Sequence, residues 1–221
     1  NDLGGQLNIA AVPIAKQDLT KVTQYMRRKL QHAGVEIRLS TPVTKEMLEN
    51  EFAGYEVIAG TGAKPIIINA FTGFKQWMSA DDILAGKAVS GRKVVIIGGG
   101  SVGCETADYL APLVNDRFPR NKAITILEMA DEIIMNESGP GRSLLVQRMM
   151  SKGVEVVCKA KVTKVDETNI WYEKDGQEHC ICDADTLVFA AGYRIDPAME
   201  NMLEEANTHY HIIGDAEKVG N

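Results

Sequence analysis

A glycine-rich turn between an apolar segment and a helix-like segment is the feature that most constrains the fold of this chain. Residues 94–110 read VVIIGGGSVGCETADYL, so four β-branched residues lead directly into Gly98-x-Gly100-x-x-Gly103. Gly98 permits a tight turn, Gly100 lets the backbone approach phosphates, and Gly103 allows the helix to pack closely on the strand. The helix N-terminus holds the anion through its dipole and backbone N–H groups. The pattern predicts a dinucleotide site, with these contact residues: Gly98, Gly99, Gly100, Ser101, Val102 and Gly103.

The composition is typical of a globular domain. The chain has 221 residues, 45% of them apolar and 24% charged, with a formal net charge of −6. The acidic balance argues against a nucleic-acid or anionic-membrane surface. No apolar run approaches the ~20 residues that span a bilayer, and the first residues have no signal-peptide pattern. We therefore predict a soluble, cytoplasmic protein without nucleic-acid or membrane partners.

Cysteines and histidines show no spacing typical of a redox or metal site. The four cysteines are Cys104, Cys158, Cys180 and Cys182. They form no C-x-x-C pair, so we predict reduced thiols, with Cys180 and Cys182 on the same face of a strand. His179, His209 and His211 have no metal-ligand spacing, and we predict no metal site.

Residues 1–63 have the pattern of half an α/β unit. Apolar residues recur at helical spacing from Leu19 to Ala33, and Gly34 is suited to end that helix. The other predictions here are a strand at 35–39, a short helix at 47–52, a strand at 55–59 and a connector at 64–90.

The order of apolar and turn patterns along residues 91–191 predicts a compact module with a β-α-β start, an antiparallel meander and a return strand. The predicted fold is therefore α/β, with a Rossmann-like parallel sheet. The predicted elements are a helix from the glycine turn to about 113, a charged linker at 115–122, a strand at 123–128, a helix at 143–151, strands at 154–158, 161–166, 170–173, 178–182 and 186–191, and a hairpin turn at Asp175-Gly176. A helix at 196–205 and an apolar segment at 211–213 follow.

Five segments carry a resemblance to a known family. They are LGGQL at 3–7, GTGAKP at 60–65, the glycine turn at 98–107, AAG at 190–192 and IGDA at 213–216. In this order they resemble the two-dinucleotide-binding flavoprotein reductases. They are most similar to the C-terminal half of NADH:flavin oxidoreductases of the 2,4-dienoyl-CoA reductase and trimethylamine dehydrogenase group.

The resemblance implies an NAD(P)H-binding domain inserted into an FAD-binding domain. Residues 64–206 would form the first, and residues 1–63 and 207–221 would form a partial FAD-binding domain. Asp215 matches the aspartate that binds the FAD ribityl chain, and Glu105 falls where the family has a glutamate near the nicotinamide. The other implied cofactor contacts are Gly5, Gln6, Thr61, Gly62, Gly192 and Gly214.

The chain also departs from the family pattern. The first strand and glycine turn of the FAD domain are not in this sequence, nor are the barrel and the cysteines that carry FMN and an iron–sulfur cluster in the family's N-terminal half. We therefore expect a piece of a longer enzyme, whose partner is that N-terminal half. We also expect weak or no FAD binding and no activity from this piece alone.

Glu128 ends the second strand of the module, where a carboxylate can bind both ribose hydroxyls and repel a 2′-phosphate. It therefore predicts NADH rather than NADPH. It lies farther from Gly98 than the ~20 residues of the usual fingerprint, which an inserted loop at 115–122 would explain. The alternative for Glu128 is a solvated carboxylate at a strand end with no ligand. The alternative for Glu105 is an acidic residue that only complements the helix dipole.

The sequence favours an NADH-binding, electron-entry module of a flavin-dependent oxidoreductase, with no catalytic residue of its own. Onward transfer would go to FMN, an iron–sulfur cluster and an unsaturated, enoate-like substrate. Two alternatives remain open: a module of a pyridine-nucleotide disulfide reductase or NADH oxidase, and a non-catalytic nucleotide-binding module.

Overall fold

A computed structural model of the chain describes residues 2–111, 122–135 and 139–220. Within these residues the regular elements, in chain order, are α1 (Gln6–Ala10), α2 (Leu19–His32), α3 (Lys45–Glu49), β1 (Val57–Ala59), β2 (Ala63–Pro65), β3 (Trp77–Ser79), α4 (Ala80–Leu84), β4 (Lys93–Ile97), α5 (Ser101–Leu110), β5 (Ala123–Leu127), α6 (Pro140–Ser151), β6 (Glu155–Val157), β7 (Lys161–Val165), β8 (Ile170–Lys174), β9 (Gln177–Ile181), β10 (Thr186–Phe189), β11 (Tyr193–Ile195), α7 (Ala198–Glu205) and β12 (Tyr210–Ile212).

The chain divides into two compact units. The first unit comprises Asn1–Leu7, Thr20–Lys64 and Tyr193–Asn221, and the second comprises Asn8–Leu19 and Pro65–Gly192. Most of the second unit is thus inserted, in sequence, between segments of the first. This confirms the predicted α/β class with an inserted domain. The assignment of 1–63, 64–206 and 207–221 to particular cofactors stays a prediction.

The second unit is built on a parallel sheet, here called the central sheet, with the strand order β3-β10-β4-β5-β6 among the described residues. Strand β4 lies in the middle, and Val94, Val95 and Ile96 are fully buried. Parallel sheets are covered on both faces, which explains the uninterrupted apolar run in the sequence.

The two faces of the central sheet are covered by different elements. Because side chains alternate along a strand, Val94 and Ile96 pack with residues of α4, α5 and α6. Val95 and Ile97 pack on the other face with residues of the meander, among them Ile170. The predicted module of helices, central sheet and meander is confirmed.

The meander comprises β7, β8 and β9, which pair antiparallel. Asp175 and Gly176 connect β8 to β9 with φ angles of 51° and 73°. Positive φ at both central residues is the geometry of a type I′ hairpin turn, so the predicted turn is confirmed.

In the first unit, β1 and β12 pair in parallel. Its core includes Leu48 of α3, Ala59 of β1 and Leu203 of α7. Helix α7 therefore packs with the first unit, although the sequence prediction counted residues 196–205 with the 64–206 domain. The reason is that Leu203, fully buried, finds its apolar partners there.

Two sequence predictions about local structure were wrong. Residues 35–39 form no strand, because no described strand forms a ladder with them; Val35 and Leu39 stay 49% and 47% exposed. The connector at 64–90 contains β3, an edge strand of the central sheet, and α4. Helix α4 begins at a capping box in which Ser79 and Asp82 bond reciprocally, a sequence signal that the prediction overlooked.

The predicted linker at 115–122 lies outside the described residues, except for Lys122. None of the described helices combines the length and the apolar composition that a membrane span needs.

Candidate functional site

The glycine turn lies at the carboxyl end of the middle strand of the central sheet. Gly98 has a φ of 107°, which disfavours any residue with a side chain, and its N–H donates to the Leu127 carbonyl at 2.9 Å. A Cβ at Gly98 would also overlap the carbonyl of Ala190, in the segment that follows β10. The turn thus requires glycine for both conformation and space.

The other two glycines of the motif differ from each other in their surroundings. A Cβ at Gly103, in the first turn of α5, would overlap the Gly98 carbonyl oxygen, so glycine allows the helix to approach the strand. At Gly100, by contrast, no described heavy atom lies within 4 Å of the Cβ position. Gly100 is the N-cap of α5 and has no side-chain cap, so the positive end of the helix dipole lies beside this open space. An anionic pyrophosphate fits this cradle.

A pocket of about 240 Å³ opens beside this turn. Its lining residues are Gly99, Gly100, Ser101, Glu128, Ala130, Glu132, Ile134 and Met135. The sequence had indicated Gly99, Gly100, Ser101 and Glu128. It had not indicated the others, because they lie on an irregular segment after β5 that has no motif.

The Glu128 carboxylate is fixed against the turn. Oε2 accepts a hydrogen bond from the Gly99 N–H at 2.5 Å, and Oε1 accepts one from the Ala130 N–H at 2.7 Å. Each oxygen has a second lone pair for a further donor. Glu128 therefore lies where the sequence predicted it, at the carboxyl end of β5, and is more than a solvated side chain.

Ile134 lines the same pocket in a strained conformation. Its φ is 52°, unfavourable for a β-branched residue, and its side chain is 2% exposed. Its N–H donates to the Gly99 carbonyl at 2.8 Å, which fixes the segment after β5 to the glycine turn. Such strain concentrates at ligand sites.

Glu105, in α5, is only 8% exposed and forms an ion pair with Lys16. Lys16 belongs to the segment Asn8–Leu19, which is part of the second unit. Because an unpaired buried carboxylate is costly, the Lys16 ammonium supplies the counter-charge that Glu105 needs at this position. The sequence did not suggest this pairing, since the two residues are far apart along the chain.

Gly192 lies in the short segment between β10 and β11, and β10 is the neighbour of β4, the strand that leads into the glycine turn. Ala190 N–H donates to the Ile97 carbonyl at 2.9 Å, and the Gly192 carbonyl accepts from Ile66 N–H at 2.9 Å. The carboxyl ends of β4 and β10 thus meet at one edge, as expected for a ligand site in a parallel sheet.

The first unit brings together a second set of the predicted residues. Thr61 and Gly62 follow β1, while Gly214 and Asp215 follow β12, so both pairs lie at the carboxyl edge of the two paired strands. One oxygen of Asp215 accepts from the Gly220 N–H at 3.1 Å.

Gly5 and Gln6 lie at the start of α1, in the first unit. The Gln6 amide donates to the Tyr193 hydroxyl at 3.0 Å.

Two arginines that could contact a phosphate differ in their surroundings. Arg142 pairs with Glu132 at 2.8 Å and donates to the Ile133 carbonyl at 3.0 Å. Arg194 is exposed on β11.

The match to a family model is consistent with this arrangement. Residues 44–216 match the family "Pyridine nucleotide-disulphide oxidoreductase". The chain belongs to this family of oxidoreductases, whose Rossmann-type fold is one that binds FAD and NAD(P). The resemblance to flavoprotein reductases stated from the sequence is thereby confirmed.

Several relatives match almost the whole chain. The cinnamate reductase of Clostridium sporogenes is 31% identical over 99% of this chain and 32% of its own length. The NADH oxidase of Thermoanaerobacter brockii is 30% identical over 99% of this chain and 33% of its own length. The chain therefore spans about a third of these relatives.

Among solved structures, a 2-naphthoyl-CoA reductase complex superposes with a TM-score of 0.88. The identity is 22%, and the match covers 100% of this chain and 33% of that one. At this identity the likeness supports the fold alone.

Proposed function

We propose that this chain is the NADH-binding, electron-entry module of a flavin-dependent oxidoreductase. When the cofactors are bound, NADH supplies a hydride that FAD accepts. The observation that carries the proposal is the open cradle at Gly100, bordered by the fixed carboxylate of Glu128. The cradle suits a pyrophosphate, and the carboxylate suits a ribose without a 2′-phosphate.

The residues of this chain bind and orient rather than react. The N–H groups at the start of α5 hold the pyrophosphate, and Glu128 accepts hydrogen bonds from the adenosine ribose. In this proposal Glu105, held by Lys16, borders the nicotinamide. Gly62 and Asp215 of the first unit would hold the flavin. No general base is required, because both reacting atoms belong to cofactors.

The remaining part of the longer enzyme would carry FMN, an iron–sulfur cluster and the substrate site. An unsaturated, enoate-like substrate is supported by the relative named cinnamate reductase, since cinnamate is an α,β-unsaturated carboxylate. We further propose that this chain alone binds FAD weakly, because its sequence contains one Gly-x-Gly-x-x-Gly turn.

The cradle is tested with Gly100→Ala. The added methyl group meets no described atom, so the fold should stay intact while NADH affinity falls about tenfold or more as the methyl blocks the phosphate. Titration calorimetry with NADH and NADPH measures both affinities. Gly141→Ala, in α6, is the matched control and should bind NADH as the native chain does. Tighter binding of NADPH than NADH by the native chain would overturn the proposal, as would unchanged NADH binding by Gly100→Ala.

An NADH oxidase module is the second candidate, because the relative of that name matches the chain over the same length. The two are separated in the longer enzyme by measuring NADH consumption with oxygen alone and with an added enoate. Consumption that depends on the enoate supports the first proposal, and rapid consumption with oxygen alone supports the second.

A further inference from the structure

Three potential metal ligands converge beside the first residues of the paired strands β1 and β12, in the first unit. They are Glu56, which precedes β1, and His209 and His211. The two histidines are two positions apart on an extended segment, so they point to the same side of it. The parallel pairing of Val57 with Tyr210 brings Glu56 beside them. We call these residues the Glu-His-His cluster.

The ligand atoms of the Glu-His-His cluster already lie close together. One carboxylate oxygen of Glu56 is 2.9 Å from His211 Nε2 and 3.7 Å from His209 Nδ1. The two imidazole rings are nearly perpendicular, with centroids 5.7 Å apart. One ligand atom from each residue lies within 4.8 Å of the others.

This geometry is near that of a transition-metal site. Zn²⁺ takes ligands at ~2.0–2.1 Å, which places tetrahedral neighbours about 3.4 Å apart. The three side chains are 56–79% exposed, so small rotations can close the remaining gap and water can complete the coordination. Two imidazoles and a carboxylate suit Zn²⁺, Ni²⁺ or Cu²⁺ better than Ca²⁺ or Mg²⁺.

We propose that the Glu-His-His cluster binds a divalent transition-metal ion, which clamps β1 to β12. The site lies at the opposite end of these strands from Thr61 and Asp215, the predicted flavin residues. Glu56 is five positions from Thr61 and His211 is four positions from Asp215, which at ~3.3 Å per residue of extended chain corresponds to roughly 13–16 Å. The ion is therefore structural, and the site is independent of the proposed NADH function.

Zinc titration tests the proposal directly. Because Sγ of Cys180 and Sγ of Cys182 are 3.3 Å apart and would also bind Zn²⁺, the experiment uses the full chain carrying Cys180→Ser and Cys182→Ser. Calorimetry should give one Zn²⁺ per chain. The affinity should fall at least tenfold in His211→Ala and in Glu56→Gln, and it should not change in His179→Ala, which removes an exposed histidine of the second unit.

Two further measurements make the result decisive. Bound Cu²⁺ should give an electron paramagnetic resonance spectrum with nitrogen hyperfine structure that is lost in His209→Ala. Zn²⁺ should raise the Tm of the background chain but not that of His211→Ala, since only a folded-state site stabilises. The proposal is overturned if no Zn²⁺ binds at millimolar concentration, or if binding survives Glu56→Gln and His211→Ala.

Discussion

At the scale of single residues, Glu128 shows how a side chain can serve the fold and a ligand together. Its carboxylate is bound by N–H groups of Gly99 and Ala130, which orients it towards the pocket beside the glycine turn. Its position was predictable, because a strand end after a glycine motif is a defined place in the sequence. Its two backbone bonds were not predictable, because they depend on the path of the chain after β5.

The charge of Glu128 should set the preference between NADH and NADPH. Glu128→Gln removes the repulsion of a 2′-phosphate while keeping one oxygen acceptor. We expect the ratio of NADH to NADPH affinity to fall about tenfold, which corresponds to ~1.4 kcal/mol. Calorimetry with both nucleotides measures it. Glu132→Gln, in the same pocket but paired with Arg142, should change the ratio less; an equal change would mean that Glu128 has no special role.

Asp185 predicts a pH dependence of stability. Its carboxylate accepts hydrogen bonds from the N–H groups of Lys93 at 2.7 Å and Arg92 at 2.9 Å, and these bonds hold its pKa below the ordinary value. A depressed folded-state pKa contributes stability above the unfolded-state pKa of about 3.9, and this contribution is lost as the pH falls below it.

Urea unfolding as a function of pH measures this effect. Between about pH 5 and pH 3, Asp185→Asn should lose less stability than the native chain, because its side chain takes up no proton. Asp183→Asn removes a charge from the same turn without touching the two bonds, and it should follow the native curve. If the stability of Asp185→Asn fell with pH as steeply as that of the native chain, Asp185 would not be the source of this pH dependence.

At the scale of elements, a buried ion pair ties α5 to the end of α6. Asp108 of α5 contacts Arg148 at 2.7 Å and Lys152 at 2.8 Å, and the Asp108 and Lys152 side chains are 1% and 4% exposed. The sequence predicted both helices but not this link, since a charged residue in a helix gives no sign of its burial. The packing of the two helices decides it.

Removing one partner of this pair should destabilise the protein strongly. Asp108→Ala leaves Lys152 buried without its counter-charge, and we expect a loss of ~3–5 kcal/mol in the free energy of unfolding. Denaturant unfolding measures it. The double variant Asp108→Leu with Lys152→Met should recover most of the loss, and Glu51→Ala, at an exposed pair with Arg38, should change little. A small effect of Asp108→Ala would show that the pair is hydrated in solution.

At the scale of the whole molecule, the two units differ in how completely they bury their elements. The middle of the central sheet is fully buried and supports two large apolar clusters, whereas the buried core described in the first unit is the small cluster around Leu48, Ala59 and Leu203. The sequence predicted most of the second unit correctly. It wrongly predicted a strand at 35–39. The alternation of apolar and polar residues there forms a strand only where a partner strand supplies hydrogen bonds.

Hydrogen exchange should reproduce this difference. Amides of β4, β5 and β10 should exchange slowest, because their exchange requires opening of the central sheet, and those at 35–39 should exchange within the fastest class. Mass spectrometry of peptides from one sample compares both directly. Equal protection of 35–39 and β4 would contradict the absence of a strand at 35–39.

The sequence by itself determined the glycine turn, the α/β class and the order of the module, because these depend on local conformational preference and on the period of apolar residues. Tertiary structure alone decided the pairing of Lys16 with Glu105, the burial of Asp108 and the convergence of the Glu-His-His cluster. These depend on residues far apart in the chain, whose side chains meet only after the strands have paired and the helices have packed.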